Sequence, residues 1–428
     1  MKECLLRGIG LKNIGLKGVG LVLTLVIVCF SGVSQASGAN NQHWIDENDT
    51  VRFATFNASL NRNGEGELIE DLTDSSNTQA MAVAEIIQRS RPDILLINEF
   101  DFDETGSAVS LFQQNYLEVG QNGANPIEYP YVYSAAINTG IPSGYDLNND
   151  GVIGESGFEL ANDAFGFGTF AGQYGMVVYS RYPILGWHVR TFQKFLWKNM
   201  PGALLPDNSE TPEPHDWFTQ EELEVVRLSS KSHWDLPVLV SGRIVHVLVS
   251  HPTPPVFDGP EDRNGTRNHD EIRFWADYIQ GGHQSLYIRD DQGRRGGLSK
   301  RSRFVIMGDM NADPFDGDAT GNPAALLLDH PRVNNHRTPV SLGSAEAAFS
   351  QGEANELQVG NRAQDTADFF DGDPGNLRVD YVLPSANMQI VDSAVFWPDS
   401  ESELYRLTGA GGSASSDHRL VWVDVKVR

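Results

Sequence analysis

The sequence predicts an α/β domain in which two β-sheets pack face to face and helices cover their outer sides. Short apolar runs of strand length recur along the chain, and two segments between them show the apolar spacing of amphipathic helices. Long polar stretches separate these elements. Strands mixed with helices that pack on them are typical of layered α/β domains, and the number of strands is sufficient for two sheets.

The strands are predicted from apolar runs that are bounded by polar or turn-forming residues. They are expected at residues 51–57, 93–98, 131–137, 175–180, 236–240, 244–250, 304–307, 379–383, 394–397 and 420–425. The fifth and sixth runs flank Ser241 and Gly242, a pair typical of a tight turn, so they are predicted to form a hairpin.

Two segments predict helices through the spacing of their apolar residues. In residues 77–89, positions i, i+3, i+4 and i+7 are Ala80, Val83, Ala84 and Ile87. One of the polar residues at 75–77 can cap this helix, and a proline at 92 stops it. Residues 270–279 carry a similar apolar face, formed by Ile272, Trp275, Ala276 and Ile279.

Four polar stretches are much longer than ordinary connections. They comprise residues 138–173, 193–222, 283–302 and 317–378. Loops of this length are usually functional or mobile, so we expect them to shape the substrate site. Because neither an internal repeat nor a linker-like tract of proline and serine is present, we predict one domain with long loop insertions.

The first 36 residues have the pattern of a secretory signal peptide. A basic start precedes an apolar run at residues 19–30, and Ser34 and Ala36 fit the small-x-small rule for cleavage. The alternative is a membrane anchor, but a bilayer span needs about 20 apolar residues. We therefore expect a signal peptide at residues 1–36, a domain at 37–428, and a secreted protein that is extracellular or periplasmic.

Cleavage after Ala36 would remove Cys4 and Cys29, the only cysteines of the chain. The mature protein would then have no disulfide, so its stability outside the cytoplasm would come from a large core, from bound metal, or from both. A second apolar run of spanning length is absent from the sequence. We expect a monomer with no membrane span in its mature form.

The chain is strongly acidic, with a formal net charge of −25 at pH 7. The signal segment has four basic residues and one acidic residue, so the mature part is near −28. Proteins that hold long nucleic acids without sequence preference usually carry basic patches, and this composition argues against such a protein. A nuclease with a local basic groove on an acidic body is still compatible with this composition. The simpler explanation of the acidity is solvation of the surface in a salty environment.

Polar residues capable of chemistry stand at the ends of the predicted strands. In chain order they are Asn57, Glu99, His251, Asp309, Asn311, Asp380, Asp417 and His418. Strand ends converge at one edge of a sheet, where ligands bind. Carboxylates with asparagine suit a hard cation such as Mg²⁺, and histidines suit proton transfer. Each residue alone is more often a surface turn or a solvated strand edge, so the ordered set carries the prediction.

This ordered set resembles the endonuclease/exonuclease/phosphatase superfamily, which includes pancreatic-type deoxyribonuclease, apurinic endonucleases, inositol polyphosphate 5-phosphatases and bacterial sphingomyelinases. The resemblance extends over residues 51–427, and residues 175–181 resemble the Gly-x-x-x-x-Ser-Arg strand of that family. It implies a four-layered α/β sandwich in which helices flank two packed mixed β-sheets. It also implies a secreted bacterial-type enzyme that hydrolyses phosphate esters.

The resemblance implies a metal site at the predicted strand ends. Glu99 resembles the principal metal ligand, with Asn57 and Asp417 near it. The implied cofactor is Mg²⁺ or Mn²⁺. The chain departs from the family at Asn98, where a glutamine is frequent, and this change affects the environment of the ligand.

The same resemblance implies the catalytic residues. His418 resembles the general base that takes a proton from water, and Asp380 resembles the carboxylate that orients it. Asp309 and Asn311 resemble the pair that positions the nucleophile and the phosphate. His251 resembles the second histidine, which bonds a phosphate oxygen. The anionic transition state of phosphate transfer needs such cations and fixed donors around it.

Further contacts to the substrate are predicted without a motif. Lys231 and His233, or Tyr174, are candidates for phosphate binding. Arg263 and Arg267 form a local basic cluster within residues 258–270, which favours an anionic substrate in a chain that is otherwise acidic. The alternative is that this segment is an ordinary solvated loop.

One loop resembles the first half of a calcium-binding EF-hand. Asp146, Asn148, Asp150 and Gly151 read D-x-N-x-D-G, but the twelfth position is Gly157 rather than glutamate. A glutamate at 155 or 159 could substitute for the missing ligand. The sequence therefore offers Ca²⁺ as a second cofactor, and an Asx-rich turn is the alternative.

Four functions compete at this point. The first is a phosphomonoesterase that acts on small phosphorylated compounds such as inositol phosphates, which the acidity of the chain favours. The second is an extracellular nuclease that cleaves DNA phosphodiesters. A sphingomyelinase-like phospholipase lacks an exposed aromatic hairpin, although several tryptophans keep it under consideration. A binding module without activity is disfavoured because the expected catalytic set is complete.

Overall fold

The computed structural model of this protein describes residues 50–409 and 414–427. The predicted signal peptide at residues 1–36 lies outside the described residues. Within the described part of the chain, no helix has both the length and the apolar character needed to cross a bilayer.

Two large mixed β-sheets form the centre of the fold. The strands are β1 (Thr50–Leu60), β2 (Ile94–Phe100), β3 (Tyr131–Tyr133), β4 (Met176–Ser180), β5 (Arg190–Thr191), β6 (His233–Val240), β7 (Arg243–Ser250), β8 (Arg303–Asp309), β9 (Ala367–Asp368), β10 (Asn376–Leu377), β11 (Asp380–Pro384), β12 (Gln389–Val395) and β13 (Val421–Lys426). The first sheet has the order β12-β13-β1-β2-β4-β3 and the second the order β11-β8-β7-β6-β5, while β9 and β10 form a small separate pair. The pairs β1/β2 and β7/β8 are parallel, and the other pairs are antiparallel.

Helices lie outside the sheets and in the long connections. They are α1 (Glu67–Leu72), α2 (Thr78–Ser90), α3 (Ser107–Phe112), α4 (Gly157–Asp163), α5 (Gln220–Leu223), α6 (Arg263–Gln280), α7 (Pro323–Leu328), α8 (Leu342–Gln351) and α9 (Ala354–Leu357). A π-helical turn, Gln113–Leu117, continues α3. One-turn 3-10 segments occur at Gly186–His188, Trp197–Asn199, Gly282–Ser285, Arg362–Gln364 and Glu403–Leu407.

The strands alternate between two buried faces, and this alternation builds the layers. Phe53 and Leu96 of the first sheet meet Val247 and Val305 of the second in a core between the sheets. The opposite face of the first sheet packs on α1, α2 and α3, and that of the second sheet packs on α6 and α7. The order is therefore helix, sheet, sheet, helix, and the predicted four-layered α/β sandwich is confirmed.

Several element boundaries differ from the prediction. The third strand ends at Tyr133 rather than at residue 137, because the chain then leaves the sheet and Asn138 donates its N–H to the carbonyl of Lys231. Strand β12 begins five residues before the predicted start, because alternating polar residues on its exposed side hide the strand pattern. Helix α6 begins at Arg263, so the segment that carries the predicted basic cluster is helical.

Gly308 allows the two middle strands of the second sheet to end close together. Its φ is 154°, and a Cβ at this position would lie 2.1 Å from the carbonyl oxygen of Ser250. Any larger residue would push β7 and β8 apart just before Asp309. Close approach of the neighbouring strand is therefore what requires a glycine at this position.

Candidate active site

The predicted polar residues converge where β1, β2, β8 and β11 end or begin. Asn57 and Glu99 lie on the neighbouring strands β1 and β2. Asp309 and Asp380 are direct partners across β8 and β11. We call the side chains gathered here the strand-end cluster, and it consists of Asn57, Glu99, His251, Asp309, Asp380 and His418. With Asn311 and Asp417 at its border, the cluster brings together the catalytic and metal-ligand residues predicted from the sequence.

His418 is held in one orientation by its neighbours. Its Nδ1 lies 2.9 Å from Oδ2 of Asp380, which also accepts a hydrogen bond from the hydroxyl of Thr366 at 2.8 Å. The backbone N–H of His418 donates to Ser416 Oγ, and the ring of Phe369 packs edge-on at 5.3 Å between centroids. With Nδ1 donating to Asp380, Nε2 is the atom left to accept a proton.

Asp309 connects the two histidines of the cluster. Its Oδ2 lies 3.4 Å from Nε2 of His251 and 3.7 Å from Nε2 of His418. The same oxygen accepts a hydrogen bond from Asn57 Nδ2 at 3.1 Å, while Oδ1 accepts the backbone N–H of Asn311 at 2.8 Å. A reacting group beside Asp309 would therefore be within reach of both imidazole rings.

Oxygen donors suitable for a metal ion lie next to this carboxylate. The amide of Asn57 bridges Asp309 and Glu99, with 3.1 Å from Nδ2 to Glu99 Oε1. Ser59 donates its hydroxyl to the exposed carboxylate of Asp417 at 3.2 Å. Carboxylate and amide oxygens with few other partners are the ligands that Mg²⁺ and Mn²⁺ prefer.

The pKa values of the cluster residues are those expected when several carboxylates lie close together without a bound cation. Burial raises the pKa of Glu99, and burial raises the pKa of Asp309 to about 6. Burial alone would lower the pKa of His418, but the charges of Asp380 and Asp309 outweigh it and raise that pKa well above its ordinary value. A divalent cation at these carboxylates would supply the positive charge that a protonated His418 otherwise provides. The residues present therefore fit a metal ion.

A second set of residues also satisfies the distance requirement for a metal. The ligand atoms of Asp309, Asp380 and His418 all lie within 4.8 Å of one another, and all three residues are buried. In this set, however, His418 and Asp380 already bond each other through Nδ1 and Oδ2. Glu99 is not bonded to the proposed base, so we place the candidate metal position on its side of Asp309.

Three residues around the cluster have left-handed backbone conformations that are uncommon outside glycine. Their φ values are 57° at Glu99, 50° at Asn311 and 48° at Ser59. Such conformations concentrate at functional sites because the surrounding structure has to hold them in place. At Glu99 the left-handed residue coincides with the irregular pairing of β1 and β2 that follows Asn57.

Lys231 lies near His251, at the edge of the strand-end cluster. Both are buried, and the burial lowers the pKa of each. Glu271 on α6 holds the segments that carry them, since its carboxylate accepts the backbone N–H of Ser230 at 2.7 Å and of Thr253 at 2.6 Å. The structure thus places Lys231 near Glu99 and His251, and its contact with phosphate stays a prediction.

Sequence reasoning missed three supporting residues. Thr366 fixes Asp380, Glu271 fixes the segments of Lys231 and His251, and Ser59 contacts Asp417. Thr366 lies in the long polar stretch 317–378, where no pattern distinguishes it. Glu271 is a buried charge on the apolar face of α6, and an acid at such a position is the one signal that could have found it.

The assignment of His233 to substrate binding is not supported by its position. His233 begins β6, is fully buried and packs against Phe274 and Trp275. Its Nδ1 pairs with the hydroxyl of Ser229, and its Nε2 lies 2.9 Å from the carbonyl of Glu271. Both ring nitrogens are thus occupied, and burial lowers the pKa of His233 to about 4.

The two predicted arginines line a cavity that lies beside the strand-end cluster, but their guanidinium groups also contact other protein groups. Arg263 pairs with Glu261, and its guanidinium lies 5.8 Å from the Trp217 ring. Arg267 donates to the carbonyls of Leu228 and Arg227 at 2.8 and 2.9 Å. Arg267 therefore acts mainly as a brace between loops, because backbone oxygens take most of its donors.

The predicted calcium loop folds as a turn that bonds its own backbone. Asp146 accepts the N–H groups of Asp150 and Gly151 at 3.1 and 2.8 Å, and Asn148 donates to Asp150 Oδ2 at 2.9 Å. This is the Asx-rich turn considered as the alternative. The carboxylates are exposed, so calcium binding here stays a prediction.

The class of the protein follows from this geometry together with a family comparison. A buried histidine–aspartate pair beside a group of metal-binding oxygens is suited to hydrolysis of a phosphate ester. The model of the Endonuclease/Exonuclease/phosphatase family matches residues 54–418. The chain belongs to this family, and it is a metal-dependent phosphoric ester hydrolase.

Solved structures with the same fold are distant in sequence. An endonuclease/exonuclease/phosphatase from Beutenbergia cavernae is 15% identical with a TM-score of 0.45, covering 88% of this chain and 71% of that one. A mannosyl-6-phosphatase from Bacteroides thetaiotaomicron is 12% identical with a TM-score of 0.41, covering 88% and 99%. An AP endonuclease from Archaeoglobus fulgidus is 13% identical with a TM-score of 0.40, covering 87% and 98%. No curated protein matches the sequence.

Proposed function

We propose that this protein is an exported phosphatase that hydrolyses small phosphate monoesters with water activated by His418. The observation that supports this most is a cavity of about 490 Å³ beside the strand-end cluster, with Glu99, Lys231 and His251 in its wall. A cavity of this size matches a small molecule. A long nucleic acid would in addition be repelled by the acidic chain, whose formal net charge is −25.

The proposed reaction uses the residues of the cluster in separate roles. Water attacks phosphorus while Nε2 of His418 takes its proton, and Asp380 holds the ring and stabilises the imidazolium that forms. The bond from phosphorus to the ester oxygen breaks, and the departing alcohol takes up a proton. Lys231 and His251 bind the phosphate oxygens. A bound Mg²⁺ or Mn²⁺ at Glu99 and Asn57 would add positive charge against the phosphate.

Purified protein distinguishes a phosphatase from a nuclease. We expect release of inorganic phosphate from monoesters, tested with inositol phosphates among others, at a higher kcat/KM than cleavage of plasmid DNA per scissile bond. Each substrate is assayed with Mg²⁺, Mn²⁺ and Ca²⁺ at the same ionic strength, since screening changes the effect of net charge. Faster cleavage of DNA at every salt concentration would instead identify an extracellular nuclease.

Export rests on residues 1–36 and has its own test. Expression of the full chain in a bacterial host should place the protein in the periplasm or medium with a new N-terminus after Ala36. Mass spectrometry of the purified protein measures that terminus. An intact N-terminus on membrane-bound protein would show the alternative, a membrane anchor.

A further inference from the structure

The cavity beside the strand-end cluster is mostly apolar. Its buried wall includes Trp197, Phe218 and Val226, which belong to the core between the second sheet and α6. Water in such a space has few partners, so an apolar group that replaces it is favoured. Trp197 and Phe218 come from residues 193–222, which the sequence shows only as a long polar stretch.

Exposed aromatic side chains surround the opening of this cavity. Phe158, Phe167 and Phe257 line it and have relative exposures of 68%, 45% and 89%. The rings of Phe158 and Phe167 pack edge to face with centroids 5.4 Å apart. Three phenylalanines left in water around one opening indicate a surface that a ligand covers.

The polar groups of the wall are mostly occupied by the protein itself. Arg227 donates to Asn138 Oδ1 at 2.6 Å and lies 4.0 Å over the ring of Phe165. Asn264 donates its side-chain amide to the carbonyl of Val256 at 2.7 Å. A sugar or inositol ring inside the cavity would therefore leave many hydroxyl groups without partners.

The charge of the wall favours an anion at the end nearest the cluster. Lys231, Arg227, Arg263 and Arg267 line the cavity, and Glu99 is the acid among the lining residues. No hydrogen-bond acceptor contacts the Lys231 ammonium among the described residues, so its donors are available to a phosphate group. A ligand with one phosphate and one apolar group matches both ends of this cavity.

We propose that the substrate is a phosphate ester of an apolar alcohol, whose alkyl or aryl group fills the cavity while its phosphate lies at Glu99, Lys231 and His251. This proposal rests on the proposed function, because it names the substrate class of the same site. The loops that form the cavity thus select for the alcohol, and the strand-end cluster acts on the phosphate.

A series of monoesters tests the selection. Ethyl, butyl, hexyl and octyl phosphate, each below its micellar concentration, are compared with 1-naphthyl phosphate and a hexose phosphate. We expect kcat/KM to rise about fourfold for each methylene that enters the cavity, until the cavity is full. A gain along the alkyl series identifies an alkyl chain as the preferred occupant. The naphthyl ester is compared with phenyl phosphate, whose phenol is a similarly good leaving group, and a gain there identifies an aryl group. Equal values for ethyl, octyl and hexose phosphate would overturn the proposal.

Substitutions at the opening and in the wall test whether the cavity causes the preference for longer alkyl groups. Phe167→Ser and Phe257→Ser should lower the octyl-to-ethyl ratio of kcat/KM by about tenfold in combination. Ala164→Leu should fill part of the cavity and reduce turnover of octyl phosphate while ethyl phosphate is unaffected. Phe349→Ser, at an exposed phenylalanine on α8 outside the cavity, is the matched control and should leave the ratio unchanged. Equal ratios in all variants would contradict the proposal.

Binding of phosphonates separates this proposal from the proposed function. Octylphosphonate and ethylphosphonate are not hydrolysed, and calorimetry measures their Kd on the intact protein with Mg²⁺. Tighter binding of the octyl compound supports the cavity assignment even if no monoester is hydrolysed, in which case the proposed function alone is wrong. Equal affinities together with rapid hydrolysis would leave the function standing and reject the cavity assignment.

Discussion

The strand-end cluster and the cavity beside it differ in how the chain builds them. The cluster consists of polar side chains at or next to strand ends, on β1, β2, β8 and β11, just after β7 and just before β13. The cavity is walled by residues from α4, from the loops before and after α5, and from the segment before α6. Rigid strands can hold reacting groups in place, while loops can change size and polarity without disturbing them. We infer that chemistry and selectivity are encoded separately in this protein.

Removal of metal is expected to have the largest effect. Dialysis against a chelator should abolish hydrolysis, and Mg²⁺ or Mn²⁺ should restore it, because the oxygen donors around Glu99 need a cation. Glu99→Ala should raise the metal concentration needed for half-maximal activity. Circular dichroism before and after chelation checks that the fold persists. Full activity in excess chelator would show that the cluster works without metal.

Replacement of the proposed base, His418, is expected to have the second-largest effect. His418→Ala is expected to lower kcat by about 10²–10⁴-fold, the usual contribution of a general base, while the melting temperature stays close to that of the wild type. His283→Ala, at an exposed histidine in a 3-10 turn, is the matched control. Near wild-type turnover in the His418 variant would mean that another group accepts the proton.

His233 provides the opposite case, a histidine that affects stability rather than catalysis. Its pKa is lowered to about 4 by burial, whereas in the unfolded chain it is about 6.5. The unfolded state therefore binds the proton first, and the stability that this group contributes above pH 6.5 is lost as the pH falls toward 4. The free energy of unfolding changes by about 1.4 kcal/mol per pH unit at most in this range.

Comparison with a variant isolates this histidine from the many carboxylates that also titrate. Urea unfolding of the wild type and of His233→Phe is measured between pH 4 and pH 7. We expect the difference in unfolding free energy between the two proteins to shrink as the pH falls, with kcat/KM of the folded variant unchanged. A difference independent of pH would mean that His233 is not buried in its neutral form.

Calcium is expected to have the smallest effect. If residues 146–151 bind Ca²⁺ as the sequence predicts, a hundredfold excess over Kd would stabilise the fold by about 2.7 kcal/mol. Differential scanning calorimetry in Ca²⁺, in Mg²⁺ and after chelation measures this change, and Asp146→Ala with Asp150→Ala is the control. The same melting temperature in all three conditions would mean that the loop is an Asx-rich turn that does not bind Ca²⁺.

The sequence was most informative where residues combine a local pattern with a fixed place on a strand. Asn57, Glu99, Asp309 and Asp380 each follow or open an apolar run, so their convergence could be predicted from strand geometry. The four layers could be predicted for the same reason, because strand length and helical spacing are local properties.

The sequence was least informative where contacts depend on loops that fold back from far along the chain. Lys231 and His233 are two residues apart, and yet one faces the cavity and the other is buried among aromatic rings. Lys231 lies in the loop before β6, whereas His233 is the first residue of that strand, and the sequence alone did not show where the strand begins. The apolar wall of Trp197 and Phe218 was hidden for a similar reason, since both lie in the long polar stretch 193–222, which shows no helical or strand pattern.

The pairing of β1 with β13 has a consequence for synthesis of the protein. Arg52 on the first strand donates to Asp424 on the last, 372 residues away along the chain. The first sheet therefore cannot pair β1 with β13 until residues 421–426 have been synthesised, and closing so long a loop is slow compared with forming local contacts. Until then β1 has one edge unpaired, and an unpaired strand edge can pair with other chains. Because His418 lies just before β13, the strand-end cluster is completed by the same segment that completes the sheet.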